Sequence, residues 1–194
     1  MNKPPRRRLA PEARKREIVE AAERLMLAHG GQVRVEDVVR EAGVAKGTFF
    51  LYFPSWDDLL ETIRDRLVAE FDALHPMPSN DGEVDWPQLL ETQAVAFIDF
   101  TLARQGFGAA IFHTDFAERR PFADNAVVRL AGVIRAGQAE KAFGKVDPDP
   151  TARLLFAVIH EAADAIAGGD DREAMLSALR QLMRRALAPQ GEAL

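Results

Sequence analysis

VEDVVREAGVAKGTFFLYF, residues 35–53, sets two short helices on either side of a tight Ala42-Gly43-Val44 turn. Val35, Val38, Val39 and Ala42 recur at i, i+3, i+4 and i+7, the one-faced pattern of an amphipathic helix. Gly43, just beyond them, is free to take the left-handed backbone that ends a helix. In the segment that follows, an advance of 100° per residue puts Phe49 and Phe53 on one side and Gly47, Thr48 and Leu51 on the other, with Lys46 and Phe50 on one flank and Tyr52 on the opposite one. The spacing predicts a helix-turn-helix whose second helix packs through its phenylalanines and leaves a face open to read DNA.

Outward from this stretch the chain reads as helix throughout. Upstream, Pro11 opens a helix to about Ala28, with Ile18, Ala22, Leu25 and Met26 on one face. Downstream, Ser55 and Asp58 have the spacing of a capping box, and Leu60, Ile63, Leu67, Phe71 and Leu74 form the apolar stripe of the helix they start. The run His75–Asp85, HPMPSNDGEVD, is a loop by composition. Further helices are expected over about Trp86–Arg104, with Asp85 as cap, over about Ala109–Phe116, and from Pro121 to about Phe143. Gly132 and Gly137 in the last of these cost roughly 1 kcal/mol each relative to Ala unless close packing, such as a pocket wall, requires them. Asp147-Pro148-Asp149-Pro150 starts a helix to about Ala167, Gly168-Gly169 turns the chain, and a final helix spans about Asp171–Leu187. The expected class is all-α, with about nine helices and no strand. A basic arm (residues 1–10) precedes a three-helix helix-turn-helix domain (11–54), and the helix opening at Ser55 leads into a helical body (55–194).

Composition narrows the classes. A chain of 194 residues buries a core without disulfides, and the absence of Cys removes a disulfide framework, a thiolate nucleophile and a Cys-based zinc site. That suits the reducing cytosol. The N-terminus lacks the apolar run of a signal peptide, and no apolar stretch reaches the roughly 18 to 20 residues of a membrane span. A soluble, cytoplasmic protein without membrane contact is expected. The net charge of −5 is unevenly spread: residues 1–53 hold 11 Lys and Arg against 7 Asp and Glu, and the remainder 14 against 23. A basic head on an acidic body is what a DNA reader with a separate regulatory part needs, because phosphate neutralisation supplies most non-specific affinity. Arg6, Arg7 and Arg8, with Lys3, have two readings: an arm that reaches DNA, or a solubilising tail.

With Ile18, Ala21-Ala22 and Gly30 upstream, the order V-V-x-x-A-G-V-A-K-G-T-F-F-x-Y-F-P-S-x-D-D-L resembles the DNA-binding domain of the tetracycline-repressor (TetR) family over roughly residues 14–62. The resemblance implies that Lys46, Gly47, Thr48, Leu51 and Tyr52 enter the major groove or meet phosphate. Lys46 suits a phosphate or a guanine edge, Thr48 donates or accepts, Leu51 fits a thymine methyl, and Gly47 permits close approach. The plain alternatives are a solvated charge for Lys46 and a core residue for Leu51. Three positions depart from the family pattern. Phe50 replaces a phosphate-binding Tyr and cannot donate. Trp56 replaces a Lys and keeps only an indole N–H. Arg34 replaces a capping Thr, exchanging a cap for a cation near phosphate height.

The resemblance further implies a homodimer on a near-palindromic double-stranded operator, repression, and release by a small-molecule effector in the body. The last two helices carry Leu155, Ile159 and Ile166 on one face and Leu179, Leu182 and Met183 on the other. Periodicity alone leaves open whether these stripes meet a second copy or complete the protomer's own core, and the resemblance favours a dimer interface. Phe97, Phe100, Phe112, His113 and Phe116 are the candidate lining of a cavity for an apolar or aromatic effector. No cofactor is expected. The alternative from another class is a small metal-dependent helical enzyme using His160, Glu161 and Asp164, which approach an H-E-x-x-H motif with Asp in place of the second His.

Overall fold

The computed structural model describes residues 10–78, 83–104, 107 and 126–189. Among them run eight α-helices, one 3-10 turn (Gly30–Gln32) and no strand: α1 (Pro11–His29), α2 (Val35–Glu41), α3 (Lys46–Tyr52), α4 (Trp56–Leu74), α5 (Trp86–Leu102), α6 (Ala126–Ala139), α7 (Pro148–Gly168) and α8 (Arg172–Leu187). The all-α class is the expected one. The short helix expected near residues 109–116 and the expected start of its successor at 121–125 lie outside the described residues. The chain divides into two compact units, passing from one to the other after Arg66, inside α4. No helix among the described residues is long and apolar enough to cross a membrane.

In the amino-terminal unit, α1 starts at Pro11, whose missing N–H is harmless in a first turn. It stops where Gly30 turns to φ +63° and donates its N–H to the Met26 carbonyl. Ile18, Ala22 and Met26 line its buried face, α1 packs on α2, and α2 packs on α3. Phe49, Phe53, Leu59 and Ile63 complete this small core. Burying an aliphatic or phenyl side chain of this kind contributes roughly 1.5 to 3 kcal/mol, which is how so short a set of helices holds together. The capping box at the start of α4 forms as expected: the Ser55 N–H donates to Asp58 Oδ2 (2.9 Å), and the Asp58 N–H donates to Ser55 Oγ (3.1 Å).

In the carboxyl-terminal unit, α7 packs against α5, α6 and α8. Asp85 caps α5 by accepting from the Gln88 N–H (3.0 Å), and Asp171 caps α8 by accepting from the Ala174 N–H (2.7 Å). Between them α7 ends at Gly168, and Gly169 takes φ +109°. Leu90, Ile98, Ile134, Leu155, Ile159, Leu176, Leu179 and Met183 form one core. Over it, Arg184 grips the buried Glu91 with two hydrogen bonds (2.5 and 3.0 Å). Arg129 donates to Asp72 (2.5 Å) and to the His75 carbonyl, fastening the end of α4 to α6.

One expectation needs correction. The helix expected to run to Phe143 ends at Ala139. Lys141 turns to φ +61°, and the Phe143 N–H folds back to the Gly137 carbonyl (3.1 Å). The Phe143 ring then lies where a Cβ on Gly137 would stand, so close packing explains that glycine, whereas nothing described approaches Gly132. The hairpin of α7 and α8 carries the six residues expected at a dimer interface. Leu155, Ile159, Leu179 and Met183 are buried in the protomer's own core and Ile166 packs against it, while Leu182 is 44% exposed. Leu154 of α7, on another side of the hairpin, is 68% exposed.

Candidate nucleic-acid interface

The turn between α2 and α3 is built by the chemistry read from its glycine. The Ala42 N–H donates to the Val38 carbonyl (2.8 Å) and the Val44 N–H to the Val39 carbonyl (2.9 Å), while Gly43 sits at φ +62°. A Cβ is strained in that backbone, which is why glycine holds the position. The chain then re-enters a helix at Lys46, with the Thr48 and Phe49 N–H groups both donating to the Ala45 carbonyl (2.9 and 3.2 Å).

α3 has two unlike faces. Phe49 and Phe53 are fully buried, with rings 5.6 Å apart, and they lock the helix onto its unit. Lys46, Gly47, Phe50 and Leu51 stand exposed at i, i+1, i+4 and i+5, with Leu51 at 77% and Phe50 at 42%. Leu51 is therefore not a core residue. Thr48 and Tyr52 flank this face partly buried; Trp56 at the start of α4 is also partly buried, and Arg34 is exposed just before α2. Phe50 meets Phe49 edge-on at 5.3 Å. Arg6, Arg7 and Arg8 lie outside the described residues.

Charge around this face is organised by two carboxylates that the sequence reading passed over. Arg34 has no acceptor with which to cap α2. Asp37 supplies half of a box instead, accepting from the Arg34 N–H (3.2 Å) and pairing with Arg40. Glu36, one residue earlier, reaches across to α3 and holds the Lys46 ammonium at 2.6 Å. A Lys in the first turn of a helix opposes the helix dipole, and that was the signal available for finding this pair.

The remaining candidates belong to the carboxyl-terminal unit. Phe97 and Phe100 stand in a group of rings: Phe71 lies 5.6 Å from Phe97 and 5.4 Å from Phe100, and Phe156 lies 5.5 Å from Phe97. The His160 imidazole meets Phe97 and Phe156 edge-on at 4.9 and 4.3 Å, so its ring is engaged in aromatic packing, while Glu161 is exposed. Among the described residues no group of three or more His, Cys, Asp or Glu is placed to hold a metal ion. Phe112, His113 and Phe116 lie outside the described residues.

These features define an all-helical protein with a helix-turn-helix in its amino-terminal unit. Residues 18–63 match the family model described as bacterial regulatory proteins, tetR family. The HTH-type transcriptional regulator EthR of Mycobacterium tuberculosis is 32% identical over 68 residues, 34% of this chain and 32% of that protein, so the match spans about a third of the curated relative. A tetR family transcription regulator from Shewanella sp. PV-4 superposes with a TM-score of 0.70 at 25% identity, over 90% of this chain and 97% of that one. RolR, solved in complex with resorcinol, superposes with a TM-score of 0.72 at 16% identity, over 93% and 90% of the two chains. The chain thus carries an amino-terminal helix-turn-helix domain of the tetR family.

Proposed function

We propose that the protein is a cytoplasmic transcriptional regulator of the TetR type, a repressor that binds a near-palindromic operator as a homodimer and leaves it when a small apolar or aromatic molecule binds the body. The observation that carries this reading is the exposed face of α3, with Lys46, Gly47, Phe50 and Leu51 outward and Phe49 and Phe53 fixed in the core. A cation, a residue without a side chain and two apolar tips suit a groove that offers phosphates and thymine methyls. In this reading Arg34, Thr48, Tyr52 and Trp56 add contacts around that face, and Arg6, Arg7 and Arg8 add phosphate contacts.

The homodimer is supported by the exposed Leu154 on α7 and Leu182 on α8. The effector reading is supported by the rings around Phe97 and Phe100, and by the aromatic diol bound to RolR, a protein of the same fold. Phe71, one of those rings, lies on α4. Mapping the genomic sites bound by the tagged protein, followed by footprinting, tests the reading. Two protected half-sites about one helical turn apart, roughly 34 to 36 Å, or a multiple of it, are expected. A footprint without half-site symmetry would count against the dimeric reader.

A further inference from the structure

Lys46 occupies an electrostatically unfavourable place. It is the first residue of α3, where the partial positive charge of the helix end disfavours a cation, and Ala45 before it offers no side-chain cap. Glu36 offsets this from α2, with Oε1 2.6 Å from the Lys46 Nζ, and both side chains are more than half exposed. Exposed pairs add little to stability, so the fold does not explain why the pair is there. The hydrogen bond from Lys46 is the main cause holding the Glu36 carboxyl below its ordinary value; its own backbone N–H helps, and the charge of Arg34 adds a smaller part. The carboxylate is ionised throughout the neutral range, directly beside the face that reads DNA in the function proposed above.

We propose that Glu36 stands in for a DNA phosphate, holding the Lys46 ammonium until duplex displaces it and so lowering affinity for DNA of any sequence. The inference rests on α3 being the reading helix. A cation matched by a carboxylate brings no net positive charge to the duplex, so few of the cations condensed on the DNA are released when a phosphate takes it. Lys46 is then silent in the salt dependence of binding, and removing the charge of Glu36 makes it audible.

The test is fluorescence anisotropy with a labelled 30-base-pair duplex of random sequence, titrated over a range of salt concentrations with the full chain. Glu36→Gln is expected to bind several-fold more tightly, with a slope of log affinity against log salt steeper by about 0.9. Lys46→Gln should leave the slope nearly unchanged on its own and abolish the added steepness in the Glu36→Gln background. Glu36→Asp, which keeps the charge, should stay near the parent slope. A purely structural role would shift the melting temperature of Glu36→Gln and leave the slope alone. Equal slopes for the parent and Glu36→Gln overturn the stand-in while leaving DNA reading intact; failure of the parent to bind duplex even at low salt overturns the DNA-reading function itself.

Discussion

Gly47 carries a cost that nothing described inside the protein offsets. Its backbone is not left-handed, and a Cβ there would meet no described atom within 4 Å. Glycine in a helix is nonetheless about 0.5 to 1 kcal/mol worse than alanine. Gly47→Ala is therefore expected to raise the melting temperature, stabilising the protein by about 0.5 to 1 kcal/mol, and to weaken duplex binding because a methyl group now meets the groove. Undiminished binding by the variant in an anisotropy titration would remove the close approach of α3. Phe50→Tyr tests the neighbouring position. Its ring is exposed, and a hydroxyl within reach of a phosphate should tighten binding by about 1 kcal/mol; weaker binding would mean that α3 docks differently. At this scale the sequence was readable where chemistry is local. Gly43, Ser55 with Asp58, and Asp85 each act on backbone groups within a few residues, and each took the turn or cap its type implied. The Glu36 to Lys46 contact was not readable that way, because it joins residues ten apart through the geometry of the intervening turn.

Helices reveal which of their faces is apolar but not what covers it. The stripes of α7 and α8 were legible from periodicity, and Leu155, Ile159, Leu179 and Met183 share one core with residues of α5 and α6 of the same chain. Periodicity scores hydrophobic spacing, and the same spacing serves a core or a partner. The two faces are separable by experiment. Leu154→Asp with Leu182→Asp should give a folded monomer by sedimentation velocity, because both side chains are exposed. Ile159→Asp places a charge in the core and should instead lose the cooperative melt. If the double variant sediments as the parent does, the hairpin is not the interface. The end of α6 is a further case. The expected helix ran on to Phe143, whereas the ring of that residue folds back onto Gly137. Gly137→Ala overlaps that ring and should destabilise by about 1 to 3 kcal/mol in a denaturant titration.

For the whole chain, the proposed function makes ligand and DNA compete through one coupling free energy. An effector that lowers operator affinity must itself bind less tightly to the operator-bound protein, by a factor corresponding to about 1 to 3 kcal/mol. Calorimetric titration of resorcinol, as a first aromatic probe, with and without bound operator measures this; binding of equal strength in both states would dissolve the allosteric claim. Charge is divided along the chain in the sense such a regulator needs, with a net excess of Lys and Arg up to residue 53 and of Asp and Glu beyond it. Removing residues 1–8 should therefore weaken binding to all duplexes and flatten its salt dependence, since Lys3, Arg6, Arg7 and Arg8 would neutralise phosphates without reading bases. An unchanged slope would make the segment a tail. The division of the chain after Arg66, within α4, had no sequence signal, because nothing in the composition of a continuous helix marks where one packed core gives way to another.

The open space around Gly47 also bears on descent. Among the described residues neither packing nor a left-handed backbone calls for glycine there, and in the proposed function it is the DNA groove that does. In a lineage that lost its target sites but still needed a folded protein, position 47 should be free to drift toward alanine, whereas Gly43 is retained by the turn itself.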